Sequence, residues 1–216
     1  MPESKQTDVV IPAGRHQLQG ILSRPQTPRG MVVFAHGSGS GRFSPRNQFV
    51  ARFLEEGGIA TLLVDLFTEE EAADREKVFD IDLLADRLLA NARWLGKQPE
   101  TKNFSLGYFG ASTGAAAALQ AAARAYDKVA AIVSRGGRPD LASKYLSRVK
   151  APTLLIVGGE DKVVLALNKR AYHDLPCVKE LVIVPGATHL FEEPGALEEV
   201  ARLARDWFGK HLLSRY

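Results

Sequence analysis

One cysteine, Cys177, stands in a chain of 216 residues. No disulfide can therefore form within it, and a reducing compartment is the expectation. No apolar run approaches the ~20 residues that span a bilayer, so no membrane segment is expected. The opening Met1-Pro2-Glu3-Ser4-Lys5-Gln6 lacks the apolar stretch of a signal peptide, which makes a soluble, cytoplasmic protein the expectation. No block of like charge occurs either. The 28 Lys and Arg residues are interspersed with 25 Asp and Glu along the chain, so a formal charge of +3 and a pI near 9.0 do not amount to a nucleic-acid patch. His and Cys residues do not fall at metal-ligand spacing, and no metal site is expected. The glycine-rich stretch from His36 to Arg42 lacks both Gly-x-Gly-x-x-Gly spacing and the lysine of a phosphate-cradling loop, so no organic cofactor is implied. There is no linker, repeat or low-complexity tract. Residues 1–216 read as one domain.

With 45% apolar residues, the chain can bury a substantial core. Short apolar runs alternate with amphipathic segments, the pattern of a mostly parallel sheet covered by helices on both faces. Val9–Ile11 and Leu18–Ser23 read as an antiparallel opening pair. Met31–Ala35 is a continuous apolar run, fit for a strand buried on both faces. Ser44-Pro45 supplies a helix cap and a proline at the first helical position, ahead of an apolar stripe that ends at Gly57-Gly58. Ile59–Leu66 is the next strand. Thr68 to Lys77 is charged and aperiodic, and reads as a solvated excursion. Ile81, Leu84, Leu88 and Leu95 recur at helical spacing. Strands follow at Val129–Ser134, Thr153–Val157 and Leu181–Val184, with helices near Leu141–Leu146, around Leu165–Leu175 and over Leu197–Leu213.

The centre of this pattern is Tyr108-Phe109-Gly110-Ala111-Ser112-Thr113-Gly114, entered from a strand-like run and left through the alanine-rich helix former beginning at Ala115. Strand, sharp turn and helix around Gly-x-Ser-x-Gly describe a nucleophile elbow. The bend lifts Ser112 Oγ above the sheet edge, and the flanking glycines let helix and strands approach. Ser112 also precedes the free N–H groups and positive dipole end of a helix, which favour developing negative charge.

In a parallel sheet, functional groups collect at the carboxyl ends of the strands. Gly158-Gly159-Glu160-Asp161 follows one strand and Gly186-Ala187-Thr188-His189 follows the next. Together with Ser112 they give the order serine, acid, histidine. Glu160 and Asp161 are both candidates for the acid, and Asp65, at the end of a neighbouring strand, is a third. His36 reads as a hydrogen-bonded loop histidine. Arg42, Arg135 and Arg138 are candidates to hold a substrate carboxylate or phosphate, with Arg42 placed to face the pocket.

Beyond these motifs, Val33-Phe34-Ala35-His36-Gly37-Ser38-Gly39, Ser134-Arg135-Gly136-Gly137-Arg138-Pro139-Asp140 and Pro185-Gly186-Ala187-Thr188-His189-Leu190-Phe191-Glu192 complete a set spread over nearly the whole chain. On these residues the chain resembles an α/β-hydrolase of the dienelactone-hydrolase-like group, the small proteins often joined to phosphoribosyltransferase domains. The resemblance implies an α/β-hydrolase fold with no cap domain and a triad of Ser112, Asp161 and His189, Asp161 being preferred to Glu160. It also implies an oxyanion hole made by the backbone N–H groups of Ser38 and Thr113. True dienelactone hydrolases use a cysteine nucleophile; the elbow residue here is Ser112. The implied activity is cleavage of small or short-chain carboxylic esters through an acyl-enzyme, with a small-molecule ester as the partner. Acyl transfer by the same triad and a non-catalytic binding role are the alternatives, and an oligomer is left open.

Overall fold

The computed structural model describes residues 4–74, 77–125 and 128–212. Eight strands form one sheet: β1 (Lys5–Ala13), β2 (His16–Arg24), β3 (Met31–Ala35), β4 (Ala60–Val64), β5 (Leu106–Ala111), β6 (Val129–Arg135), β7 (Thr153–Gly158) and β8 (Lys179–Val184). Their spatial order is β1-β2-β4-β3-β5-β6-β7-β8. β1 pairs antiparallel with β2, and β2 antiparallel with β4; every other pairing is parallel. Among the described residues seven α-helices accompany it: α1 (Pro45–Glu56), α2 (Glu69–Ala73), α3 (Ile81–Leu95), α4 (Thr113–Ala125), α5 (Ser143–Leu146), α6 (Lys162–Asp174) and α7 (Ala196–His211). None of the described helices is long and apolar enough to cross a membrane.

The continuous apolar strands follow from burial on both faces. In β3, Val32 and Phe34 join the core under α1 and α7, while Met31, Val33 and Ala35 join the core under α3, α4 and α6. Alternate residues of one strand thus feed two cores. Phe34 and Phe109, on adjacent strands, hold their rings 4.9 Å apart in the first of these layers. The Ser44 hydroxyl caps α1 by accepting from Asn47 N–H, and Pro45 opens the helix. Asp80 caps α3 through Leu83 N–H at 2.9 Å. The result is an α/β-hydrolase fold, with no cap domain among the described residues.

The segment after β4 departs from the sequence reading. Thr68 to Lys77 is largely exposed over its described residues, as read, but it is not aperiodic. Thr68 and Glu71 form a reciprocal capping box that starts α2, and Glu71 is buried. Its carboxylate pairs with Arg87 of α3 at 2.9 Å, the two side chains being 8% and 5% exposed, and Arg87 also donates to the Ala13 carbonyl of β1. Burial raises the Glu71 pKa, but the Thr68 N–H and the Arg87 charge outweigh it and hold the carboxyl below its ordinary value. Residues 75–76 lie outside the described chain.

Candidate active site

β5 ends at Ala111, and the next residue, Ser112, takes a positive φ of 51° before α4 begins at Thr113. A non-glycine residue in that region stores strain that its surroundings must hold in place. They do so through three backbone bonds. Ser112 N–H donates to the Arg135 carbonyl at 3.2 Å, and the Ser112 carbonyl accepts from Ala115 and Arg138 N–H, each at 3.1 Å. The two motif glycines are sterically required. A Cβ at position 114 would lie 2.1 Å from the Ala35 carbonyl oxygen, and one at 110 would lie 2.4 Å from Ala115 Cα. Alanines 115 to 118, all fully buried, carry the same close approach along α4.

The loops after β7 and β8 are joined through their backbones. Gly159 N–H donates to the Val184 carbonyl at 2.8 Å and Glu160 N–H to the Ala187 carbonyl at 2.9 Å. A Cβ at Gly158 would sit 2.4 Å from the Ala187 oxygen, so a side chain there would push the loops apart. This stitching places Asp161 Oδ2 2.6 Å from His189 Nδ1, with the side chains 14% and 39% exposed. Asp161 Oδ1 meanwhile accepts from Val164 N–H at 3.4 Å and caps α6. One carboxylate thus starts a helix and holds the imidazole, which directs Nδ1–H to Asp161 and leaves Nε2 as an acceptor.

The other candidate acids are engaged elsewhere. Glu160 is exposed and meets Lys162 Nζ at 3.4 Å. Asp65 is held by Arg42, whose backbone N–H and guanidinium both bond its carboxylate. Arg42, expected to face the pocket, is therefore committed to Asp65, its guanidinium lying over the Phe43 ring. Arg138 forms a bidentate pair with Asp140 at 2.9 and 2.7 Å.

The loop after β3 runs beside the serine, since a Cβ on Gly37 would lie 3.1 Å from Ser112 Cβ. Its shape depends on His36, which is 2% exposed. Leu66 N–H donates to His36 Nε2 at 2.9 Å, so the ring proton sits on Nδ1 and is donated to the Gly37 carbonyl, also at 2.9 Å. Burial lowers the His36 pKa, against the opposing pull of the Gly37 carbonyl and Asp65. Ser38 N–H points at Thr113 and donates to its Oγ1 at 3.2 Å. Ser38 and Thr113 thus meet beside Ser112, with the Ser38 N–H occupied by a neutral hydroxyl and the Thr113 N–H at the first turn of α4, where no intrahelical acceptor exists.

Arg135 differs from the other arginines here. It is 8% exposed, and its Nε and Nη1 are buried with no hydrogen-bond partner among the described residues. Gly136, the next residue, has a φ of 52°, and a Cβ on it would approach His189 Nδ1 to 3.4 Å. Among the described residues, no group of three or more His, Cys, Asp or Glu side chains is arranged to hold a metal.

A mostly parallel sheet with a strained serine at the elbow after β5, and an acid–histidine pair on the loops after β7 and β8, defines the α/β-hydrolase class. The model of the dienelactone hydrolase family matches residues 18–211, and the chain belongs to that family. A dienelactone hydrolase from Anabaena variabilis, known from a crystal structure, is 52% identical with a TM-score of 0.95, over 97% of this chain and 99% of that one. A Mycobacterium tuberculosis protein named a putative phosphoribosyl transferase is 58% identical over 211 residues, which are 98% of this chain and 48% of that protein. The chain spans about half the length of the curated relatives it matches. A Pyrococcus furiosus esterase shares the fold, with 18% identity and a TM-score of 0.77 over 97% of this chain and 92% of that one.

Proposed function

We propose that this chain is a serine hydrolase that cleaves carboxylic esters through an acyl-enzyme on Ser112. The observations that carry the reading are the 2.6 Å bond from His189 Nδ1 to Asp161, on the loops after β8 and β7, and a serine at φ 51° where β5 turns into α4. His189 Nε2 takes the proton of Ser112 Oγ as the oxygen attacks the ester carbonyl, and returns it to the leaving alcohol. Asp161 keeps the ring in the reactive tautomer and stabilises the transient imidazolium. Water then repeats the cycle on the acyl-enzyme and releases the acid.

The oxyanion is received by the N–H groups of Ser38 and Thr113. Ser38 exchanges its neutral bond to Thr113 Oγ1 for one to an anion, and charge-assisted bonds are roughly twice as strong. Losing one such donor costs about 3 kcal/mol in the barrier. Phe43, Leu141 and Leu190, which follow β3, β6 and β8, are exposed apolar side chains that could meet the hydrocarbon parts of a small ester. The name of the mycobacterial relatives belongs to proteins about twice as long, and we assign phosphoribosyl transfer to no residue of this chain.

The test is hydrolysis of p-nitrophenyl esters from acetate to decanoate by the parent and by Ser112→Ala. The reading expects saturable turnover that favours short chains and is lost in the variant. Turnover retained by Ser112→Ala would refute it. Partition of the acyl group between water and an added alcohol separates hydrolysis from acyl transfer.

A further inference from the structure

After α3 ends at Leu95, the chain turns through residues 96–105 before β5 begins at Leu106. These turns are tied down at both ends. Thr101 Oγ1 donates to the Leu95 carbonyl at 2.7 Å, and Met31 N–H of β3 donates to the Ser105 carbonyl at 2.9 Å. Between this connection, the last turn of α3 and the starts of β3, β5 and β6 lies a cavity of about 340 Å³. It opens where the parallel strands begin, at the end of the sheet opposite Ser112.

The wall of this cavity is divided by chemistry. Met31, Leu95 and Leu106, all buried, and the half-buried Phe104 supply apolar surface. Lys102 and Lys128 line it as exposed side chains. Neither ammonium group has a partner among the described residues, and no acidic residue lines the cavity. In two other cavities a carboxylate accompanies the cations: Glu100 in one of 330 Å³, and Glu55 and Glu56 in one of 810 Å³.

Lysine lays its methylene stem along apolar surface while its charge stays in water, so the two side chains can frame an apolar floor without closing it. A volume in this range with a few convergent polar groups suits a small molecule, and two unpaired cations above hydrocarbon suit an anionic head on an apolar body. The C-terminal end of a helix would repel that head if its carbonyls were free. Here the carbonyls of Ala92, Trp94 and Leu95 already accept from the N–H groups of Gly96, Lys97 and Gln98.

We propose that this cavity is a second binding site, for amphipathic carboxylates such as medium-chain fatty acids. The hydrocarbon lies on Met31, Phe104 and Leu106, and the carboxylate is met by Lys102 and Lys128. An acid of this class is also what cleavage of a carboxylic ester releases, but the site depends on its own residues and not on the serine-hydrolase reading. No bond is made or broken there.

The probe is octanoate, titrated into the isotope-labelled chain and followed by amide chemical shifts. Saturable shifts are expected at Gly96, Asn103, Leu106 and Ala130, with a dissociation constant below about 1 mM. Affinity should rise by about threefold per methylene from butyrate to octanoate. Uncharged octanamide should bind about fivefold more weakly, and octanoate should lose about as much in the double variant Lys102→Gln, Lys128→Gln. Ala92→Met fills the cavity from a half-exposed position of α3 and should abolish the shifts.

No saturable shift at these amides, equal affinity for octanoate and octanamide, or an unchanged affinity in the double lysine variant would overturn the proposal. Octanoate bound at the elbow would instead move Gly37, Thr113 and His189, and shifts confined to those amides would overturn it as well. If Ala92→Met fails to fold, the double lysine variant, changed only at exposed side chains, decides by the same criterion.

Discussion

Replacing Asp161 separates two tasks performed by one carboxylate. Oδ2 receives Nδ1–H of His189 at 2.6 Å, and Oδ1 caps α6 through Val164 at 3.4 Å. Asparagine caps a helix about as well as aspartate, but its amide can present N–H to the ring and favour the wrong tautomer. In Asp161→Asn, kcat/KM for a p-nitrophenyl ester should therefore fall by about 10⁴-fold, the loss known when a triad aspartate becomes asparagine. The melting temperature should hardly move. Asp161→Ala removes both functions. Its activity should fall at least as far, and stability should fall by about 0.5 kcal/mol, the low end for a lost cap, because the 3.4 Å bond is long. For a chain of this size that is a shift of roughly 1–2 °C. Ester kinetics and thermal unfolding on the three proteins read the two effects separately. Asp161→Asn within tenfold of the parent, or asparagine as destabilising as alanine, would refute the reasoning.

Four further perturbations test the scaffold. Gly114→Ala puts a methyl group 2.1 Å from the Ala35 oxygen and should abolish soluble, active protein; Gly209→Ala, with nothing within 4 Å in the last turns of α7, should stabilise by about 0.5–1 kcal/mol in denaturant unfolding. Arg87→Met strands the buried Glu71 carboxylate and should cost about 3–5 kcal/mol, part of which a second change, Glu71→Gln, should restore. The folded state lowers the His36 pKa from 6.5, so His36 contributes stability that is complete above that value and is lost as pH falls through it towards the folded-state pKa. Melting temperatures between pH 7.5 and 5 should accordingly drop more steeply in the parent than in His36→Asn, and parallel curves would show that His36 does not titrate on unfolding.

Much of this architecture was legible because the physics is local. Met31–Ala35 must be a strand buried on both sides, and Ser44-Pro45 starts a helix whatever surrounds it. The elbow was equally plain, since Gly110 and Gly114 are small for contacts made within a few residues or against the neighbouring strand. In the segment after β4 the solvated character was legible from its charge, but the short helix and the burial of Glu71 were not. Burial of Glu71 depends on Arg87, sixteen residues later, although Thr68-x-x-Glu71 was a local sign of the helix start. The acid illustrates a different limit. Glu160 and Asp161 are adjacent and alike in sequence, and what separates them is direction: Asp161 caps α6 and reaches His189, whereas Glu160 turns to Lys162 and solvent. Arg42 and Arg135 could not be told apart without knowing that Asp65 lies opposite the first and that no carboxylate among the described residues pairs with the second.

The central claim is that Ser112 is an activated nucleophile. Intact-protein mass spectrometry after incubation with a fluorophosphonate, on the parent and on Ser112→Ala, tests it most directly. The account predicts one phosphonyl adduct per chain on the parent and none on the variant. A folded parent that stays unmodified, or a variant labelled as fully as the parent, would contradict it.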